Sequence, residues 1–419
     1  MKGQTPGFVQ RAATTTSFSL RKRPRITSCF QATIPGETLQ TVQSNIGRGL
    51  SFPRFPHNHI GRRCFIGVVN YYPRPQETGR ISNMDTLRVG VIGVGVMGER
   101  HCRVYSSLRR VRVVGIADLD ASRGQAVAAQ YETRHFEDRR QLLDKVDAVS
   151  IVTTTPAHFD LAMEALKHGV HVLVEKPITE TLEQGEQLVG EAERRNLVLQ
   201  VGHIERFNPA FTELKNVTDG MRLIAINVRR LSPFDLSNTD VDVICDLMIH
   251  DLDLVADLVG TQLEGINAWG RSINTGAIDH AVANLSFRDG PIATLFASRI
   301  TEQKVRMIEV IAEGAYIEAD LLSKSVLVHR RTFPQYLDNH QATKYRQESI
   351  IERIYVPMAE PLMLELRHFV ESVVEGKPNI VPGKDGLYAL HLAKAVADQT
   401  SQLTTLNSLD GAPSEVLTQ

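Results

Sequence analysis

Within residues 245–253, CDLMIHDLD, a carboxylate and an imidazole lie four positions apart among Leu, Met and Ile. Helical spacing projects Asp246 and His250 from one face. Histidine takes up and releases a proton near neutral pH, so the pair suits proton transfer at a bound hydroxyl if that face meets a ligand rather than solvent or core. A cation stands elsewhere in the chain. Lys176 ends the apolar run VHVLVEKPI, where Pro177 restricts its backbone. Lysine is normally solvated, which sets this position apart. A third group consists of glycines: Gly93, Gly95 and Gly98 form G-x-G-x-x-G, and Asp118 follows 20 residues after Gly98. That spacing suits a dinucleotide, with Gly93 for a tight turn, Gly95 for close approach of backbone N–H groups to a pyrophosphate, and Gly98 for close helix-strand packing.

The elements that must carry these groups follow from periodicity. LRVGVIGVGVMGERHCRVYSSL begins as a buried strand, turns through the glycines and continues with helical spacing, and VRVVGIADLD is a second strand ending at Asp118. The Asp118 carboxylate accepts hydrogen bonds from the ribose of NAD and repels the extra phosphate of NADP, so NAD is favoured. Arg123 nearby keeps NADP open as a second cofactor. The alternation continues through DAVSIVTTTP, HFDLAMEALKHG, VHVLVEKPI, a helix over 182–194 and VLQVGH. Strands separated by amphipathic helices imply a parallel, doubly wound sheet with its ligand at the carboxyl ends of the strands. Thr153, Thr154, Thr155, Glu175 and Lys176 fall at those ends. For the threonines, turn or helix capping competes with cofactor contact. The candidate cofactor contacts are Gly93, Gly95, Val96, Met97, Gly98, Asp118, Thr153, Thr154, Thr155, His158, Glu175 and Lys176.

The second half reads differently. MRLIAINVRR is strand-like, AVANLSFRDGPIATLFASRI holds two strands around an Asp289-Gly290 turn, and VRMIEVIAEGAYIEADLL suggests a pair around Gly314. These strands follow one another without helices, which predicts a largely antiparallel sheet with one face against helices and the other open to a partner subunit. EPLMLELRHFVESVVEG and GLYALHLAKAVADQTSQL are closing helices, the first stopped by Gly376.

Residues 1–83 carry 12 Lys or Arg against only Glu37 and Glu77, while the whole chain has a formal net charge of −1. Basic, acid-poor and without periodicity, this stretch is expected to be disordered: a transit peptide, a nucleic-acid-binding arm, or upstream sequence included through an early start codon, since Met84 directly precedes a strand. The four cysteines are too widely spaced for a zinc site or a disulfide framework, which fits a reducing compartment. No apolar run approaches the ~20 residues of a membrane span. The expected organisation is a leader over 1–83, a nucleotide-binding domain over 84–205, a substrate-binding and oligomerisation domain over 206–402, and a polar tail over 403–419.

GVGVMG, TTTPAHFDLAMEALKHGVHVLVEKP and CDLMIHDLD together resemble the glucose-fructose oxidoreductase and inositol dehydrogenase (Gfo/Idh/MocA) family of NAD(P)-dependent sugar oxidoreductases, over about residues 86–400. The resemblance implies a Rossmann domain followed by an α/β domain with an open antiparallel sheet. It carries Lys176 over as the active-site lysine, with Asp246 and His250 as the substrate-binding and proton-transfer pair. An alcohol gives up hydride only as its hydroxyl proton is removed, which suits His250 as base. Lys176 then stabilises alkoxide character or takes the proton itself, and Asp246 holds the substrate or orients the imidazole. Asp251 and Asp253 are expected to be helix-surface or capping acids, and no ligand spacing calls for a metal.

VGHIERFNPAF and DLMIHDLDLVADLVG look most similar to the branch of this family that oxidises the 3-hydroxyl of UDP-N-acetylglucosamine in lipid A synthesis. His203, Arg206 and Asn208 are candidate donors to sugar or phosphate oxygens, in competition with an Arg-carboxylate bridge and a structural turn at Pro209. Inositol or a free sugar is the alternative substrate, and a dinucleotide-binding regulatory sensor the alternative class. The expected setting is a cytoplasmic homo-oligomer with no nucleic-acid or membrane partner.

Overall fold

The computed structural model describes residues 86–409 apart from 235–240, 275, 332–334, 340–341 and 347–348. Expectations for residues 1–83 and for the end of the tail lie outside the described residues. The first half alternates strand and helix as expected. β1 (Leu87–Ile92), α1 (Val96–Ser107), β2 (Val111–Ala117), α2 (Ala121–Gln130), β3 (Arg134–His135), α3 (Arg139–Leu143), β4 (Ala148–Ile151), α4 (His158–Lys167), β5 (His171–Glu175), α5 (Leu182–Arg195) and β6 (Leu199–Gly202) follow in order. The sheet runs β3-β2-β1-β4-β5-β6 with every pair parallel. This is the doubly wound order, whose direction of winding switches between β1 and β4. Helices cover both faces, so β4, with all four residues buried, and β1 are apolar along nearly their whole length. Local signals set the helix ends. Asp120 caps α2 by accepting from the Arg123 N–H, Thr181 and Gln184 form a reciprocal capping box on α5, and Asn196 stops α5 in a left-handed conformation.

After α6 (Pro209–Thr218) the chain builds an eight-stranded sheet ordered β16-β13-β12-β11-β7-β10-β9-β8. Its strands are β7 (Leu223–Leu231), β8 (Leu263–Arg271), β9 (His280–Phe287), β10 (Ile292–Ser298), β11 (Val305–Ala312), β12 (Ala315–Asp320), β13 (Ser325–Arg331) and β16 (Ser349–Ile354), while β14 (Gln335–Asn339) and β15 (Ala342–Arg346) form a separate ribbon. All neighbours in the large sheet are antiparallel except β7 and β10, a central pair that the periodicity could not order. Both expected turns are present: Asp289 takes φ 52° and Gly314 takes φ 80°. On β7, Ile226, Val228 and Arg230 face inward, and α7 (Ile249–Val259) and α9 (Gly383–Leu409) lie on that side of the core.

Two boundaries differ from expectation. α9 continues to Leu409, past the start of the expected tail. α8 (Pro361–Glu375), which ends at Gly376 with φ 67°, lies within the stretch assigned to the second domain, yet Leu362, Leu366 and Phe369 pack with Val91 and Tyr105 in the nucleotide half. Its amphipathic pattern predicted a helix but contained no information about which core would bury it.

Candidate active site

The glycine turn divides its tasks by position. Gly93 has φ 85°, and a Cβ there would lie 2.4 Å from the Val152 O. A Cβ on Gly98 would fall 1.9 Å from the Gly93 O, so α1 can leave the turn this closely only without a side chain. At Gly95 an added Cβ meets nothing within 4 Å. Nothing in the protein requires a glycine there, whereas a pyrophosphate approaching the start of α1 does. Val96, the first residue of α1, is 72% exposed. At the end of β2 the Asp118 carboxylate accepts from the Val94 N–H at 2.7 Å, the Asp120 N–H at 2.8 Å and Arg123 Nη2 at 2.6 Å. Burial alone would raise its pKa, but the hydrogen bonds from Arg123 and the two backbone groups outweigh burial and hold it below the ordinary value. Leu119 beside it is fully exposed. An apolar side chain in water at the mouth of a nucleotide site is a candidate contact for an adenine face. Sequence reasoning missed it, because one Leu between two aspartates carries no periodic signal. Open space at Gly95 and an ionised carboxylate at the end of β2 fit a dinucleotide.

The lysine and the carboxylate-imidazole pair come from opposite halves of the chain and meet. Lys176 follows β5, and its Nζ donates to the Asp246 O at 2.7 Å and to Asp246 Oδ1 at 3.5 Å. Asp246 lies in a π-helical turn, Ile244–Met248, that runs directly into α7. Such a wide turn re-aims the side chains at the start of a helix and occurs often at functional sites. His250, in the first turn of α7, is half-buried. Its Nδ1 is sealed without a partner, which leaves Nε2 to meet a substrate. Burial, with Lys176, Arg230 and His203 close by, pushes its pKa well below the ordinary value, so it is neutral and able to accept a proton.

Other candidates separate into available and engaged groups. Thr153, Thr154 and Thr155 lie at the end of β4, and Thr154 stands at the head of a short 3₁₀ turn without a side-chain capping bond, which leaves its hydroxyl free of the structural role that competed with ligand contact. His158 is engaged: it is buried, with Nδ1 2.8 Å from the Pro177 O and Nε2 3.1 Å from the Thr153 O. It braces the loops after β4 and β5. Glu175 approaches His101 through Oε1 at 3.2 Å and accepts from the Lys176 N–H at 3.3 Å.

Of the VGHIERFNPAF donors, Arg206 and Asn208 turn inward, onto the Arg-carboxylate bridge and the structural turn that competed with substrate contact. Arg206 forms two 2.7 Å bonds to Asp253 and also meets Asp257 and Asp385, while Asn208 donates to Glu205 and the Leu321 O and caps α6. His203 is buried beside His250, with Nδ1 3.8 Å from Asp253. Asp251 and Asp253 are likewise not surface acids. Both are buried, Asp251 against Arg230 and Asp253 against Arg206. Glu205 gathers Arg230 at 3.0 Å and Arg306 at 2.7 Å. Among the described residues no group of three or more His, Cys, Asp or Glu is placed to hold a metal ion, and no helix is long and apolar enough to cross a membrane.

Residues 87–203 match the family described as "Oxidoreductase family, NAD-binding Rossmann fold", and residues 234–318 match "GFO/IDH/MocA C-terminal domain". The chain is 38% identical over 245 residues, 58% of its length and 77% of the relative, to the UDP-N-acetylglucosamine 3-dehydrogenase of Acidithiobacillus ferrooxidans. A solved structure of that enzyme superposes with a TM-score of 0.70 at 33% identity, covering 76% of this chain and 98% of the other. The scyllo-inositol 2-dehydrogenase (NAD(+)) of Bacillus subtilis is 26% identical, over 74% of this chain and 93% of that enzyme.

Proposed function

The chain belongs to the GFO/IDH/MocA family of NAD-binding oxidoreductases, and from that membership we propose that it oxidises the 3-hydroxyl of UDP-N-acetylglucosamine to the 3-keto nucleotide sugar. The observation that carries the chemistry is the meeting of Lys176 with Asp246, one helical turn before a neutral His250. NAD, when bound, supplies the hydride acceptor. His250 Nε2 takes the hydroxyl proton as hydride leaves the same carbon, so the alcohol loses two electrons and two hydrogens in one step. The Lys176 ammonium stabilises the negative charge that develops on that oxygen, and Asp246 fixes the ammonium from both its backbone and its side chain. The identity to a UDP-N-acetylglucosamine 3-dehydrogenase favours the nucleotide sugar over a free polyol, which the more distant inositol relative favours.

The open face of the large sheet is the proposed contact for a second copy of the chain. Register places Trp269, Val282, Phe296, Arg229 and Met307 in one row across five strands on the side opposite the buried Val228, with Ile292 and Ile311 nearby and exposed. A row of this extent, apolar but for Arg229, suits an interface.

Purified protein with NAD and, separately, UDP-N-acetylglucosamine, a free sugar or myo-inositol, followed by nicotinamide absorbance, tests the substrate. Fastest turnover is expected with UDP-N-acetylglucosamine. Faster turnover of inositol overturns the sugar assignment, and NAD binding without turnover of any of them points to a sensor.

A further inference from the structure

One buried carboxyl has no part in the mechanism above. Glu365, on α8, is wholly buried, and neither Oε1 nor Oε2 has a hydrogen-bond partner. The groups around it are similarly incomplete. Gln200 on β6 donates its amide to the Glu365 O at 3.4 Å, while its own Oε1 is buried without a partner. His101 on α1 meets Glu175 through Nε2, and its buried Nδ1 is unpartnered. Gln200 lies two residues before Gly202, the β6 partner of Glu175, so the Glu365 backbone packs against the strand beside Glu175, and buried polar atoms left unpartnered as these are occur rarely in proteins.

An ionised carboxylate without donors is far costlier at this depth than a neutral acid. Burial and the neighbouring Glu175 both push the Glu365 carboxyl well above its usual range. Glu175 moves the other way: burial opposes ionisation, but His101 and Lys176 prevail and hold it below the usual value. The two form a neutral acid next to a carboxylate, a pair that titrates as a unit. Glu175 ends β5 beside Lys176, at the carboxyl edge of the sheet where a nicotinamide belongs.

We propose that Glu365 is a positioning residue of the cofactor site, whose proton is released to solvent when the cationic nicotinamide of NAD binds and is retained when neutral NADH binds. A positive charge arriving at this edge favours the ionised form of both carboxyls, and the reduced ring brings no such charge. The other titratable groups facing the pair are His101 and Tyr105 from α1, Lys176 after β5, His158 at the start of α4 and His203 after β6. The inference rests on the cofactor and not on the identity of the sugar.

The test is calorimetric titration of the full chain with NAD and with NADH, in two buffers of different ionisation enthalpy at one pH. NAD is expected to release a larger fraction of a proton than NADH, and its affinity relative to NADH to rise with pH by up to about tenfold per unit. In Glu365→Gln, which keeps the shape and removes the proton, the difference should vanish, an outcome that a packing role alone would not produce. Equal proton counts for the two cofactors in the wild type, or an undiminished difference in Glu365→Gln, overturns the proposal. Infrared difference spectra of the wild type give a measure independent of any variant. A protonated-carboxyl band lost with NAD and kept with NADH is expected, and a band unmoved by either refutes the proposal.

Discussion

In the nucleotide half, Arg123 meets Asp118 at 2.6 Å with its side chain half exposed, whereas in the substrate half Arg230 meets Asp251 at 2.7 Å with both partners buried. The distances are alike and the physics is not. Water reaches the Arg123 end of the first pair, where a ligand can compete for the guanidinium, so the contact suits a binding edge. The second pair gave up its hydration on folding, so removing one partner strands the other. Arg230 joins β7 to α7 through Asp251, and to the turn after β6 through Glu205, where Arg306 from β11 also arrives. Asp251 directly follows His250. The buried network therefore fixes the helix turn that carries the base, and the half-exposed Arg123 leaves the cofactor edge adjustable.

The largest expected effect is at the meeting point of the two halves. Lys176→Ala and His250→Ala should each lower kcat by about 10²- to 10⁴-fold, with little change in NAD affinity, because each removes a group acting on the reacting hydroxyl. Steady-state kinetics and cofactor titration on the same samples check this. Protonation of His250 abolishes the base and its pKa is lowered, so the acid limb of the wild-type kcat profile should lie below about pH 6.5, the ordinary histidine value. Near-normal turnover in both variants would mean that the base lies elsewhere.

Next in size is the buried network. Arg230→Met leaves Glu205 and Asp251 short of a counter-charge and should cost about 3–5 kcal/mol of unfolding free energy, whereas Arg123→Ala should cost below about 1 kcal/mol. Denaturant unfolding of the two variants measures the contrast. Equal losses would show that burial does not distinguish the two pairs.

The same contrast explains what was legible in the sequence. The nucleotide half writes its tasks locally: Gly93, Gly95 and Gly98 lie within one turn, Asp118 ends the next strand, and alternating strands and helices imply a parallel, doubly wound sheet. The helix under Asp246 and His250 was also legible, although a π turn replaces its first residues. Partners distant in the sequence were not. Arg206 finds Asp253, Arg306 finds Glu205 and Gln200 finds Glu365 only after two sheets have formed, and no spacing rule links such residues. Hence Arg206 and Asn208 read as available donors, Asp251 and Asp253 as surface acids, and α8 as part of the wrong core.

A finer division is expected inside the glycine turn. Gly98→Ala forces a methyl group onto the Gly93 O, so it should lower the melting temperature, by an overpacking cost of about 1–3 kcal/mol, and weaken NAD binding as well. Gly95→Ala has open space and should leave the melting temperature unchanged while weakening NAD binding. Thermal melts with and without NAD separate the two. If Gly95→Ala binds NAD normally, the pyrophosphate does not approach there.

The smallest effect expected is at the exposed edge itself, where it decides cofactor choice. The Asp118 carboxylate is held ionised by Arg123 and by two backbone N–H groups, and only the first of these is itself a charge that a ligand can recruit. Asp118→Ser removes the acceptor for the ribose hydroxyls and frees the Arg123 guanidinium, so NAD affinity should fall by about tenfold or less and NADP affinity should rise. Arg123→Ala alone should leave NAD binding nearly unchanged. Combined with Asp118→Ser it should cancel the gain for NADP, because the phosphate then meets neither a repelling carboxylate nor an attracting cation. Titrating both cofactors into the wild type and the three variants tests each step. A wild type that already prefers NADP would mean that Arg123, not Asp118, governs this edge, and that the exposed guanidinium gives up its carboxylate for a phosphate, an exchange closed to the buried Arg230.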